Sequence, residues 1–353
     1  MIPRTRAAPI FPTPITPTSN CTSPVTGFYS WTSYFTLTSL IYRLHHLICR
    51  ALARLGMATT AEDYRLTGIV LAAVILIVGL VLTAVDANST IFRELSAIAW
   101  CAILVFGIQW LAWIPASIGQ TERFYDLTGG MTYLVVVGFS LWLGSESGEV
   151  GTRELLISTL VAIWSVRLSG FLFLRIHHKG KDGRFDDLKT SPVRFLVPWT
   201  LQGLWIFLTA NVVIVVNSQS GPSPPLEIWD GIGLAIWILG FVIEVLADMQ
   251  KTRFNSDPEN EGRWIDQGLW SLCRHPNYLG ETLLWTGIAV FGVSCLEGFE
   301  WVAWVSPIFV YLLLTKVSGI PILDRRALSK WGDDPEYQAY RERVPAIFPK
   351  LNF

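Results

Sequence analysis

Apolar runs of near membrane-spanning length recur along the chain, separated by short polar stretches. They fall at 68–85, 96–118, 131–143, 154–174, 194–216, 231–247, 279–295 and 301–315. A span needs roughly 20 apolar residues, and most of these runs reach that with their flanks. The run at 131–143 is short and predicts a tilted, buried or re-entrant segment. The pattern predicts an all-α, multi-pass transmembrane helical bundle of eight spans, or seven if one run does not cross.

The polar stretches differ in charge. The loop at 175–194 holds Lys179, Lys181, Arg184 and Lys189. The loop at 251–274 holds Lys251, Arg253, Arg263 and Arg274, and the tail adds Lys316, Arg325, Arg326, Lys330, Arg341 and Arg343. The loops between them carry no Lys or Arg: 217–229, 296–300 and 145–151. Positive charge therefore collects at every second turn, which puts the basic loops on the cytosolic, stromal or matrix face. Eight spans place the N-terminal side there as well.

Composition agrees. Of 353 residues 51% are hydrophobic and 16% charged, with 16 Trp and a mean hydropathy of +0.42. Soluble domains carry roughly a quarter charged residues. A net charge of -1 gives no case for nucleic-acid binding. Cys21, Cys49, Cys101, Cys273 and Cys295 show no CxxC spacing, which argues against a disulfide framework or a zinc site. His45-His46 and His177-His178 are adjacent pairs that do not share a helix face, so no metal is expected. Residues 1–61 lack Asp and Glu, are rich in Ser and Thr, and carry Arg4, Arg6, Arg43, Arg50 and Arg54. That is the composition of a transit peptide or a disordered leader, with Met57 an alternative start. The domain that folds is expected at 62–353, in an endoplasmic-reticulum, plastid or mitochondrial membrane.

The stretch 251–281 is the one polar segment that runs straight into an apolar helix, through Arg274-His275-Pro276-Asn277-Tyr278-Leu279-Gly280-Glu281. Polar groups at the membrane boundary are costly without partners and read as a ligand site. A helix N-terminus favours anions, so a phosphate-bearing cofactor is expected. Pro276 suits the first helical turn. Asn277, Glu281 and Trp285 recur every four residues on one face. Glu244 and Asp248 likewise share a face, with Lys251 and Asn255 following; they form either an ordinary ion-paired boundary or a wall that orients cations toward phosphates.

These segments resemble the membrane steroid 5-alpha-reductase-like superfamily, which includes the sterol C14- and C7-reductases and a DUF1295 branch. The resemblance covers 164–348. It rests on Trp164-Ser165-Val166-Arg167-Leu168, Gly180-Lys181-Asp182-Gly183-Arg184-Phe185-Asp186 and Ala247-Asp248-Met249-Gln250-Lys251. It continues through Gly268-Leu269-Trp270, the Arg274 to Glu281 motif, and Ser329-Lys330-Trp331-Gly332 with Tyr340 ahead of Val344-Pro345. It implies NADPH held by the C-terminal segments. Lys251, Asn255, Trp270, Asn277, Tyr278, Lys330, Trp331 and Tyr340 stand where relatives line the cofactor, with Asp248, His275, Glu281 and Asp324 nearby. Trp331 replaces the usual Tyr, and Asn255 has no Arg counterpart.

The implied reaction is reduction of a carbon–carbon double bond conjugated to a carbonyl in a lipid-like substrate. An acidic residue in an early span is expected to assist, but Leu111 to Ala116 offers no carboxylate. Tyr125 and Asp126, with Glu122, are the nearest substitutes, and Asp126 has helix capping as its alternative. Gln202, Trp205 and Asn211 either line a lipid pocket or hydrogen-bond between helices. Two other classes stay open. The isoprenylcysteine carboxyl methyltransferases share a similar helix start but bind S-adenosylmethionine, and a non-catalytic lipid-binding scaffold needs no cofactor. Membrane lipids are the expected surroundings; substrate identity and oligomeric state are not legible.

Overall fold

The structure is a computed structural model that describes residues 59–349 apart from 147, 181 and 222. The leader up to residue 58, with its arginines, Cys21, Cys49, His45-His46 and Met57, lies outside the described residues, as does Lys181.

Among the described residues the α-helices are eleven: α1 (Ala61–Val85), α2 (Ala97–Ile118), α3 (Tyr125–Ser145), α4 (Thr152–Lys179), α5 (Pro192–Thr209), α6 (Asn211–Ser218), α7 (Ile228–Ser256), α8 (Pro276–Phe291), α9 (Val305–Leu312), α10 (Ile320–Trp331) and α11 (Pro335–Arg343). The only sheet among the described residues is a hairpin of β1 (Ile91–Phe92) and β2 (Leu95–Ser96). Among the described residues, seven helical segments are long and apolar enough to cross a membrane; α5 and α6 make an eighth if the 53° bend between them is one broken span. The chain is thus an all-α multi-pass membrane bundle. The run at 131–143 is the one misjudged: α3 is a full 21-residue span that starts at Tyr125. Its first turn mixes Tyr, Asp, Thr and Gly, which hid the helix from a hydropathy reading.

Local chemistry sets the ends. Thr60 and Asp63 form a capping box that starts α1, with Asp63 Oδ2 accepting from Thr60 N at 2.9 Å. Pro276 occupies the first turn of α8, as its missing N–H allows. After α9 the helix widens into a π turn, Leu313–Val317, before α10.

The tightest packing is between α7 and α8. A Cβ on Gly240 would lie 2.6 Å from the carbonyl oxygen of Gly280, and one on Gly287 2.7 Å from that of Gly233. Two glycine pairs, each seven residues apart, let the antiparallel backbones touch. A second tie joins α4 to α7 at the opposite membrane face. Arg153 is almost wholly buried; its Nε donates to Asp230 Oδ1 at 2.7 Å and its Nη atoms donate to the carbonyls of Pro224 and Pro225, both at 2.8 Å.

The basic loops gather on one face. Glu122, before α3, accepts from Asp182 N at 2.9 Å and Lys189 Nζ at 3.0 Å. The C-terminal segment docks on the loop before α8, with Arg274 N and His275 N donating to the carbonyls of Pro345 and Ala346 at 2.8 and 3.0 Å.

Candidate functional site

A cavity of about 690 Å³ opens in the basic-face half of the bundle, lined from α3, α4, α5, α7, α8 and the α9–π turn. Small-molecule sites commonly fall between 300 and 1,000 Å³. Along α4 it runs from Trp164 to Arg175, about 16 Å at 1.5 Å per residue.

Helix register sorts the wall into three levels. The deepest holds Tyr133, Trp164, Glu244 and Glu281, closed below by Trp285. The rings of Tyr133 and Trp164 meet edge-on at 5.2 Å, and Trp164 and Trp285 at 4.9 Å. Trp164 Nε1 donates to Glu244 Oε2 at 3.1 Å. Arg167 spans two carboxylates, with Nη1 2.7 Å from Glu244 Oε1 and Nη2 2.6 Å from Asp248 Oδ2. The middle level holds Gly129, Gly130, Gln202, Asp248, Asn277 and Tyr278. Gly130 admits no side chain, since a Cβ there would meet Ser169 at 2.3 Å, and Gly129 lies against the Gln202 amide, whose Nε2 would be 2.7 Å from a Cβ. The mouth holds Tyr125, Asp126, Arg175 and Arg184.

The α7–α8 glycine contact explains why the carboxylates meet. A Cβ on Gly280 would lie 2.6 Å from the backbone N of Glu244, so Glu244 and Glu281 are forced to one depth. Arg167 gives Glu244 and Asp248 a shared cation, while Glu281 has no hydrogen bond to protein among the described residues. Tyr278 is held by its ring, stacked on His275 at 5.6 Å and set against Gly319. Its hydroxyl likewise has no protein partner among the described residues.

Six of the expected site residues line this cavity: Tyr125, Asp126, Asp248, Asn277, Tyr278 and Glu281. Their availability differs. Tyr125 donates its hydroxyl to the Pro198 carbonyl at 2.8 Å, so that proton is committed. Asp126 keeps its Oδ2 shielded and without a hydrogen-bond partner.

The other eight do not line the cavity, and build a cap on the basic face instead. Lys251 Nζ sits 4.4 Å over the Trp270 ring, and Trp270 Nε1 donates to the Ala247 carbonyl at 3.1 Å. Tyr340 OH donates to the Trp270 carbonyl at 2.9 Å. Lys330 Nζ lies 4.6 Å over Trp331, whose indole donates to the Gly262 carbonyl. Asp324 faces Arg274 at 2.9 Å, Arg341 at 3.5 Å and His275 at 3.7 Å. Asn255 is exposed on the last turn of α7. Burial disfavours charge on His275 and holds its pKa below the ordinary value, with Asp324 offsetting part of this. At the mouth, burial opposes charge on Asp182, but the hydrogen bonds and charge of Arg184 outweigh it and hold that carboxyl below its usual range.

Several wall residues were not singled out from sequence. Arg167, Arg175 and Arg184 lie in or beside motifs already quoted, yet their inward direction depends on α4 and its loop. Tyr133 reads as one more apolar-run residue. Gln202 and Trp205 do line the cavity; Asn211 sits at the α5–α6 bend, its amide atoms buried and without hydrogen-bond partners.

Residues 112–344 match the family model described as protein of unknown function, DUF1295. An uncharacterized protein of Schizosaccharomyces pombe, C594.04c, is 26% identical over 245 residues, 60% of this chain and 68% of its own. A probable O-methyltransferase of Ustilaginoidea virens, ustE, is 31% identical over 108 residues, 29% of this chain and 37% of its own.

Proposed function

Because the chain belongs to the DUF1295 family, which is related to the steroid 5-alpha-reductase-like membrane proteins, we propose that it is an NADPH-dependent reductase of a conjugated carbon–carbon double bond in a membrane lipid. One observation carries the reading: Asn277 and Glu281, a helical turn apart on α8, both face the cavity. An amide and a carboxyl side by side offer donors and acceptors that match a carboxamide, the polar group of a nicotinamide. Arg175 and Arg184 at the mouth suit phosphate oxygens. On this reading Asn277 and Glu281 would hold the nicotinamide end and Arg175 and Arg184 the phosphates. When bound, NADPH would supply the hydride, delivered to the carbon beta to the carbonyl.

The chain's own residues do the rest. Asn277 and Glu281 orient the ring. Tyr278 takes the donor role at the carbonyl oxygen, where negative charge develops as the double bond is reduced. Tyr125, its proton held by Pro198, packs the mouth. Leu201, Trp205, Phe309 and Val317 offer an apolar flank for a lipid body.

Methyl transfer from S-adenosylmethionine is the second reading. Two observations favour it: the printed name of the Ustilaginoidea virens relative, and a wall on which Asp126, Glu244, Asp248 and Glu281 outnumber Arg175 and Arg184. A cationic sulfonium suits such a wall. Titration of the purified full-length protein with each cofactor separates the two. NADPH binding with substrate-dependent oxidation is expected; binding of S-adenosylmethionine alone would overturn the reductase reading.

A further inference from the structure

We infer that His275 is a positioning residue for Tyr278, steered by Asp324 on α10, so that the C-terminal cap sets where the Tyr278 ring lies in the cavity. The inference deepens the reductase reading and rests on it for one point, the donor role of Tyr278 at the carbonyl oxygen. The two rings stack at 5.6 Å with 16° between their planes. The backbone of His275 is fastened on both sides: its N–H donates to the Ala346 carbonyl at 3.0 Å, and its carbonyl accepts from Tyr278 N at 3.1 Å. The imidazole is not fastened. It is buried, and neither ring nitrogen has a hydrogen-bond partner among the described residues. Buried polar groups are rarely left so, and each such case asks for an explanation.

Asp324 supplies one. Its Oδ1 lies 3.7 Å from His275 Nε2, just beyond hydrogen-bond reach. A small movement of the imidazole closes that gap, and the stacked Tyr278 ring must follow or lose its contact. The surrounding charges decide when this happens. Asp324 favours the protonated imidazole, while Arg274 beside it and Lys251 near the end of α7 oppose it. Arg341 on α11 faces the other oxygen of Asp324 at 3.5 Å, and Cys273 and Tyr278 are further titratable neighbours. Burial keeps the imidazole neutral to below its ordinary value of 6.5, so Asp324 draws the ring only in acid. Helix α10 also meets Tyr278 directly. A Cβ on Gly319, the residue before α10, would lie 2.9 Å from Tyr278 Cε2. The cap thus reaches the Tyr278 ring twice, through Gly319 and through His275.

The test puts 4-fluorophenylalanine in place of Tyr278 in the full-length protein in detergent micelles and follows its fluorine resonance against pH. The label keeps the ring and removes the ionisable hydroxyl, so a response to pH comes from the neighbours. One titration step is expected below about pH 6.5. The step should be lost in His275→Gln. In Asp324→Asn it should move to lower pH by about one unit, because the carboxylate that favours the protonated ring is gone. Asp324→Glu should leave it in place. A resonance that does not titrate, a step that persists in His275→Gln, or a midpoint unchanged in Asp324→Asn overturns the inference. Thermal unfolding identifies a His275→Gln protein that has not folded, and the Asp324→Asn midpoint then decides. NADPH titration of the unlabelled protein is a separate readout. If the resonance titrates as expected but NADPH does not bind, the reductase reading fails and the positioning of the Tyr278 ring stands.

Discussion

Asn277 and Glu281 are separated by one turn of α8 and share a cavity wall, yet among the described residues neither side chain has a hydrogen bond to protein. Side chains placed this way contribute through ligand contacts. Asn277→Ala and Glu281→Gln should each weaken NADPH binding about ten-fold or more, as expected for hydrogen bonds lost in a shielded site, measured by cofactor fluorescence. Tyr278→Phe should separate binding from chemistry: kcat should fall about 100-fold, the usual contribution of a positioned proton donor, with little change in cofactor affinity. Equal losses in both quantities would make Tyr278 a binding residue only. Much of this was legible, because the motif from Arg274 to Glu281 places four polar side chains at the start of an apolar helix. The role of Tyr340 was not. Its hydroxyl is used on the Trp270 carbonyl, a contact between segments 70 positions apart in the chain.

At the scale of elements, α7 and α8 act as one unit because Gly233, Gly240, Gly280 and Gly287 let their backbones approach closely. Gly280→Ala forces a methyl group against the backbone of Glu244, and should destabilise the protein by about 1–3 kcal/mol. It should also weaken cofactor binding, because the seam sets the separation of Glu244 and Asp248 from Asn277 and Glu281. Gly68→Ala in α1 has nothing within 4 Å and should not lower the melting temperature, since alanine favours the helix over glycine. The Arg153–Asp230 pair holds the far ends of α4 and α7. Arg153→Leu would leave a buried carboxylate without its cation, and should cost about 3–5 kcal/mol in thermal or denaturant unfolding. A hydropathy profile shows where these helices lie but not which glycines face each other, since that depends on the rotation of both helices.

Across the whole molecule, the two membrane faces are built differently. One is tied by the Arg153–Asp230 pair, while the other collects the cations and closes with α10 and α11. Asp324 at the centre of that cap meets Arg274, Arg341 and His275. His275 is held below its ordinary pKa of about 6.5 by burial, so the folded protein binds its proton less readily than the unfolded chain does. Its contribution to stability is therefore complete above pH 6.5 and declines as pH falls toward the lower folded-state value. Melting temperature should drop as pH falls below about 6.5, and His275→Asn should flatten that slope. A slope unchanged by the substitution would place the acid sensitivity elsewhere.

The order of apolar and polar stretches determined the class of this protein, because backbone groups inside a bilayer must be satisfied within helices. The alternation of basic loops with loops that lack Lys and Arg determined which ends converge, since Lys and Arg resist translocation. The chemical character of 274–281 was visible because charged and amide side chains are rare where a spanning helix begins. Only the tertiary structure decided which of those polar groups share a space. Asp126, Gln202, Glu244 and Glu281 come from four helices, and their meeting depends on helix rotation and on the close approach at Gly129, Gly130 and Gly280. The same packing turned Lys251, Lys330 and Tyr340 to the cap, where rings and carbonyls occupy them.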